Sequence, residues 1–117
     1  SLLLGVLFCY TENMNIVFLD DNIEKFISNL RKDVLAKVLR NLDLLEQFGY
    51  KLGLPHSKKI KDKLFELRIL GKIEVRIFYM FNKSKIILLH GFIKKSQKIP
   101  KKELRYALNK MNELDKV

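Results

Sequence analysis

Little in this chain supports a covalent framework or a membrane segment. Its one cysteine, Cys9, cannot close a disulfide within the chain, and in its apolar setting it reads as the buried thiol of a cytosolic protein. The longest apolar opening, Leu2 to Cys9, is far shorter than the roughly 20 residues that cross a bilayer, so no membrane association is expected. A basic n-region and a small-residue cleavage site are also missing, so no signal peptide is expected. Ser1, standing where an initiating Met would be, reads as a trimmed start or a tag remnant. The two histidines are far apart and give no metal-ligand spacing with the single cysteine. Nor is there a glycine loop to cradle a phosphate, so no metal and no cofactor is expected.

Acidic residues are scarce where basic ones crowd. Residues 1–57 hold 6 Lys+Arg against 7 Asp+Glu, a net of −1, while residues 58–117 hold 17 against 6, a net of +11. A uniform lysine bias would spread more evenly. A one-sided basic field attracts polyanions and speeds their encounter. The length suits a single domain spanning 1–117.

Leu2 to Tyr10 reads as a buried strand, followed by a turn at Thr11-Glu12-Asn13; Asn15 to Leu19 either extends that strand or enters a loop. Asp20, Asp21 and Asn22 are helix-start residues. Ile23, Phe26, Ile27 and Leu30 recur at helical spacing after them. A second helix is predicted over 32–48, with Val34, Leu35, Val38, Leu42 and Leu45 as its apolar stripe and Gly49 as its C-cap. Both helices suit one face of a sheet. Residues 51–57 read as a loop, with Gly53 and Pro55 as breakers. Strands are predicted over 63–70, 74–82 and 85–93, joined by tight turns into an antiparallel meander. Pro100 opens a last helix over about 100–114. The fold class is α+β: a small antiparallel-rich sheet packed by two N-terminal helices, with a C-terminal helix.

Strand alternation sorts the side chains. Phe65, Leu67 and Ile69 form one apolar set, and Val75, Ile77, Tyr79 and Phe81 another. With these against the two helices, Glu66, Arg68 and Arg76 share the opposite, open face. His90 and Phe92 fall on one side of the last strand. Lys94, Lys95 and Lys98 leave its end, and Lys58, Lys59, Lys61 and Lys63 approach the first meander strand. Cutting RNA through its own 2′-hydroxyl needs a base, an acid and cations for the phosphorane charge. Rigid strands carrying Arg68, Arg76, Lys94 and Lys95 can supply the cations, and His90 or Glu66 a proton role. Plainer roles stand beside these: an ion pair between Glu66 and Arg68, a half-buried structural histidine at 90, a core tyrosine at 79, and solvated lysine faces.

Phe26-Ile27-Ser28-Asn29-Leu30, Leu44-Leu45-Glu46-Gln47-Phe48-Gly49, Leu64-Phe65-Glu66-Leu67-Arg68, Arg76-Ile77-Phe78-Tyr79, the block from Leu89 to Pro100, and Ala107 together resemble the RelE superfamily of toxins, in its HigB-like branch. The resemblance is strongest from Leu64 to Leu108. It implies the toxin of a type II toxin–antitoxin pair, a ribosome-dependent endoribonuclease that cuts messenger RNA and stops growth in the cytoplasm. It implies a cognate antitoxin of helix-turn-helix type, with operator DNA reached only through that antitoxin, and the ribosome and messenger as further partners. By position, Arg76 matches the strand arginine on the scissile phosphate, Arg68 the arginine ending the preceding strand, and Lys94 and Lys95 a second cation. Lys58, Lys59, Lys61, Lys63 and Lys98 would bind RNA or the ribosome. Glu66 stands near where some relatives use a lysine, and no residue clearly matches their C-terminal tyrosine. The alternative is a protein of the same fold without enzymatic activity, blocking a protein target such as DNA gyrase, or a degenerate RNA-binding module. Arginines locked in core ion pairs, with no open cleft, would favour that alternative.

Overall fold

The computed structural model describes residues 14–115. The strand expected at Leu2–Tyr10, the turn after it and the setting of Cys9 lie outside the described residues. The elements run β1 (Asn15–Phe18), α1 (Asp21–Ser28), α2 (Lys32–Phe48), a 3-10 turn at Gly49–Lys51, β2 (Ser57–Lys61), β3 (Leu64–Ile69), β4 (Glu74–Asn82), β5 (Lys85–Lys94) and α3 (Lys101–Asp115). This is the α+β arrangement expected. The sheet order is β1-β5-β4-β3-β2, with β1 parallel to β5 and every other pair antiparallel.

Local chemistry sets the element ends. Asp20 caps α1, its carboxylate accepting the amides of Asn22 (3.0 Å) and Ile23 (3.3 Å). Gly49, at φ 52°, ends α2 in the left-handed region that a side chain disfavours. The helix expected from Pro100 starts one residue later, with the Pro100 carbonyl accepting the amides of Glu103 and Leu104. One strand escaped the sequence reading. Residues 51–57 do read as a loop through most of their length, but Ser57–Lys61 form β2 at the sheet edge. Its sequence carries one apolar residue, Ile60, so alternation gives no signal. Lysines on an edge strand keep that edge from pairing with other chains.

The sheet is buried on both faces. On one, α1 and α2 pack Ile23, Ile27, Val34, Val38, Leu42 and Leu45 against Leu67, Ile69, Val75, Ile77, Tyr79, Ile86 and Leu88. On the other, Ala107 and Met111 of α3 cover Leu64, Phe78, Met80, Ile87, Leu89 and Phe92. Strand alternation placed Glu66, Arg68 and Arg76 on this second face correctly, but α3 closes about half of it. The apolar residues at 78, 80, 87 and 89 needed that cover. A bulge in β5 serves both faces: Leu88 pairs with Tyr79 and His90 with Phe78, leaving Leu89 as an extra residue. The phase of β5 inverts there, so Leu89, His90 and Phe92 all face α3. Gly91 then faces α1, where an added Cβ would meet the Phe26 ring at 2.7 Å.

Candidate functional site

The uncovered half of the α3 face holds the arginines. Arg68 and Arg76 are direct cross-strand partners in the β3–β4 ladder, so two guanidiniums sit side by side. Two carboxylates offset the repulsion. Glu74 Oε1 accepts from Arg76 Nη2 at 2.8 Å, while Glu66 Oε1 lies 3.4 Å from Arg76 Nε and 3.7 Å from Arg68 Nε. Arg76 is 1% exposed and Glu66 4%, whereas the Arg68 side chain keeps 29% of its surface. Glu66 Oε2 and Arg76 Nε are buried and carry no hydrogen bond among the described residues. The ion pair weighed for Glu66 therefore exists, and it reaches both arginines.

Arg68, Arg76 and Glu74 line a cleft of about 430 Å³ with Leu70, Lys94, Lys95, Ser96 and Gln97, and Glu66 lies beneath it. Lys94 stands across the ladder from Glu74, at the end of β5, and the chain then turns along the cleft mouth. Four of the expected site residues, Arg68, Arg76, Lys94 and Lys95, are thus brought together. Four cations against Glu66 and Glu74 leave the cleft electropositive. A phosphate entering it meets Arg68, Lys94 and Lys95 directly, since Arg76 has almost no surface to offer.

His90 stands apart. Its Nε2 lies 2.6 Å from Glu103 Oε2, its ring rests on Tyr106 at 4.5 Å, and it lines a separate cavity with Asn22, Phe26 and Leu89. Tyr106 sits with it, beneath the Lys110 ammonium. Lys58, Lys59 and Lys61 lie exposed on β2, Lys63 is in the β2–β3 turn, and Lys98 is exposed beyond β5. Lys59 and Lys63 line another cavity with Tyr50, Phe65 and Phe81. Tyr79 is core: its hydroxyl meets Ser57 Oγ, and burial raises its pKa above 10.0, the Ser57 contact opposing in part.

Sequence reading missed a second cleft of about 250 Å³, lined by Lys37, Arg40, Asn41, Pro55, His56, Arg68 and Leu70. Lys37 and Arg40 sit on the exposed side of α2, where charged residues are expected whatever their role, so no signal marks them. His56 is half-buried there, and its carbonyl accepts the Arg68 amide at 2.8 Å. Among the described residues, no group of three or more His, Cys, Asp and Glu side chains is placed to hold a metal ion, and no helix is long and apolar enough to cross a membrane.

The family model for the phage-derived protein Gp49-like (DUF891) matches residues 25–112. The chain is 36% identical over 81 residues to a candidate toxin named HigB3 from Mycobacterium tuberculosis (strain ATCC 25618 / H37Rv), covering 64% of this chain and 70% of that protein. In structure it is similar to a chain of the YoeB-YefM complex from Staphylococcus aureus, with a TM-score of 0.52 and 20% identity, over 71% of this chain and 97% of that one. That likeness is one of fold. The matched segment contains the end of α1, all of α2, the whole meander and the arginine cleft, and on it the chain belongs to the Gp49-like family, among the toxins of RelE and HigB type.

Proposed function

We propose that this protein is the toxin of a type II toxin–antitoxin pair and that it cleaves messenger RNA on the ribosome. The observation that carries this is the open cleft with Arg68, Arg76, Lys94 and Lys95 around one space at the sheet end. Family membership and the likeness to HigB3 support the toxin role, and the likeness to a chain of the YoeB-YefM complex supports an antitoxin partner, which we propose is a helix-turn-helix protein that takes the operator DNA.

In the proposed step, the 2′-oxygen of one nucleotide attacks its own 3′-phosphorus. The bond from phosphorus to the next 5′-oxygen breaks, leaving a 2′,3′-cyclic phosphate and a 5′-hydroxyl. Arg68 and Lys94 hold the non-bridging oxygens as charge builds on them, a kind of term worth several kcal/mol in a water-poor cleft. Arg76 and Glu66 act from beneath, Arg76 as fixed positive charge and Glu66 as the brace that aims both guanidiniums. His90 is held by Glu103 outside the cleft, so the 2′-hydroxyl proton passes to water and the Lys95 ammonium gives a proton to the departing 5′-oxygen.

The test is induced expression without antitoxin, reading growth and mapping new messenger 5′ ends on ribosomes. Arg68→Ala and the pair Lys94→Ala with Lys95→Ala suit it because these side chains reach solvent. Each is expected to lower cleavage about a hundredfold or more while the protein stays folded. Growth arrest with messenger intact would favour a protein target instead. The buried Arg76, paired with both carboxylates, gives that second reading its one structural support.

A further inference from the structure

The arginine cleft does not end at Arg68. Arg68 and Leu70 line both it and the second cleft, and Lys37 lines both the second cleft and a third, which also holds Lys72, Ile73 and Arg31. The cations Lys94, Arg68, Arg40 and Lys37 therefore follow one another over the β3–β4 end of the sheet and onto α2. Lys37 and Arg40 form no ion pair among the described residues, and no acidic residue lines the second cleft. The Lys37 ammonium sits over the β3–β4 turn, where a Cβ built on Gly71 would come within 2.6 Å of Nζ. Beside the cations, Pro55 and His56 present ring surfaces, and Leu70 is 46% exposed. Successive cations next to small apolar and ring surfaces suit a single-stranded polynucleotide, whose bases can rest on one side while its backbone is neutralised on the other.

We infer that the second cleft is a subsite for single-stranded RNA running on from the phosphate held at Arg68, with Arg40 and Lys37 taking the next backbone phosphates. This rests on the cleft proposed above for the reaction. It also locates strand binding on α2 and the Leu54–His56 loop rather than on the lysines of β2. The strand is either messenger flanking the cut or ribosomal RNA, which present the same phosphodiester and base.

The test is fluorescence anisotropy on a hexanucleotide with 2′-O-methyl groups, which binds but cannot be cut. Lys37→Ala with Arg40→Ala is compared with Lys83→Ala with Lys85→Ala. The second pair removes the same charge at the opposite end of β4, about seven residues and so roughly 23 Å from Arg76. The α2 pair is expected to weaken binding about fivefold or more and to reduce the slope of log affinity on log salt by about 1.4, at roughly 0.7 for each phosphate no longer neutralised. The control pair leaves the slope within about 0.3 of the parent. Equal losses from the two pairs, or no loss from the α2 pair in a protein with unchanged melting, would overturn the subsite. A wild type that binds through Lys37 and Arg40 yet never cuts messenger on ribosomes supports the subsite and sinks the nuclease reading. A wild type that cuts through Arg68 while the α2 pair changes nothing does the reverse. 4-Thiouridine beside the cleaved position separates the sources: crosslinks to Pro55 or His56 assign the strand to messenger. Reduced ribosome affinity of the α2 pair without such crosslinks assigns it to ribosomal RNA.

Discussion

Arg76 is both the natural target for mutation and the least informative one. Replacing it with alanine leaves Glu66, 4% exposed, without its nearer cation. Breaking a buried pair from one side costs about 3–5 kcal/mol, so Arg76→Ala should lose activity by unfolding, seen as a large fall in the urea midpoint. Arg68→Ala, whose pair with Glu66 is longer and partly wet, should cost under about 1 kcal/mol in the same measurement. Tyr79 adds a pH signature. Burial raises its pKa above the unfolded value of 10.0, so the stability it contributes is fully present below pH 10.0 and is lost as pH rises through the folded pKa. The melting temperature of Tyr79→Phe should therefore fall less steeply above pH 10.0 than that of wild type. Below that, the variant should be weaker by about 1–2 kcal/mol, because Ser57, 2% exposed, loses its partner.

At the scale of elements, α3 decides how much of the sheet remains free for chemistry. His90 and Glu103 tie it to β5, and Lys110 reaches Asp20 at 3.9 Å. Glu103→Ala should loosen that seat by about 1–2 kcal/mol and raise amide exchange in α3 and β5 while β3 stays protected. Gly91→Ala should be worse for α1, since Phe26 has to move off β5, at a cost of about 1–3 kcal/mol in chemical denaturation. Both helices on the N-terminal side and all three meander strands were legible in the sequence, because apolar spacing of 3.6 and 2.0 is what they are made from. The fate of β2 was not legible, since an edge strand has no buried face to announce it. Nor was the phase change at Leu89: one extra residue in a continuous apolar run leaves the pattern looking unbroken. The grouping of Arg68 and Arg76 followed from alternation alone. The removal of His90 from that group did not, because it depends on where α3 lands and which carboxylate it brings.

Taken whole, the molecule carries a net charge of +10, all of its excess from β2 onward. Association with ribosomes or free RNA should weaken steeply with salt, and a plot of log affinity on log salt should be linear with a slope set by the phosphates covered. The charge asymmetry was plain in the sequence; which of the cations meet in the cleft was not, because lysines on β2, on the β4–β5 turn and in the cleft look alike until the strands are paired. Chain order also governs assembly. β1 pairs with β5 across about seventy residues, and the cleft is complete only when Lys94 to Gln97 have folded back beside Arg68 and Arg76. During synthesis β1 and the two helices after it emerge before the meander and wait for a strand that is made about seventy residues later. The nascent chain thus has no finished cleft until the segment after β5 has emerged, and on the function proposed above the half-made protein is harmless to the ribosome that is making it.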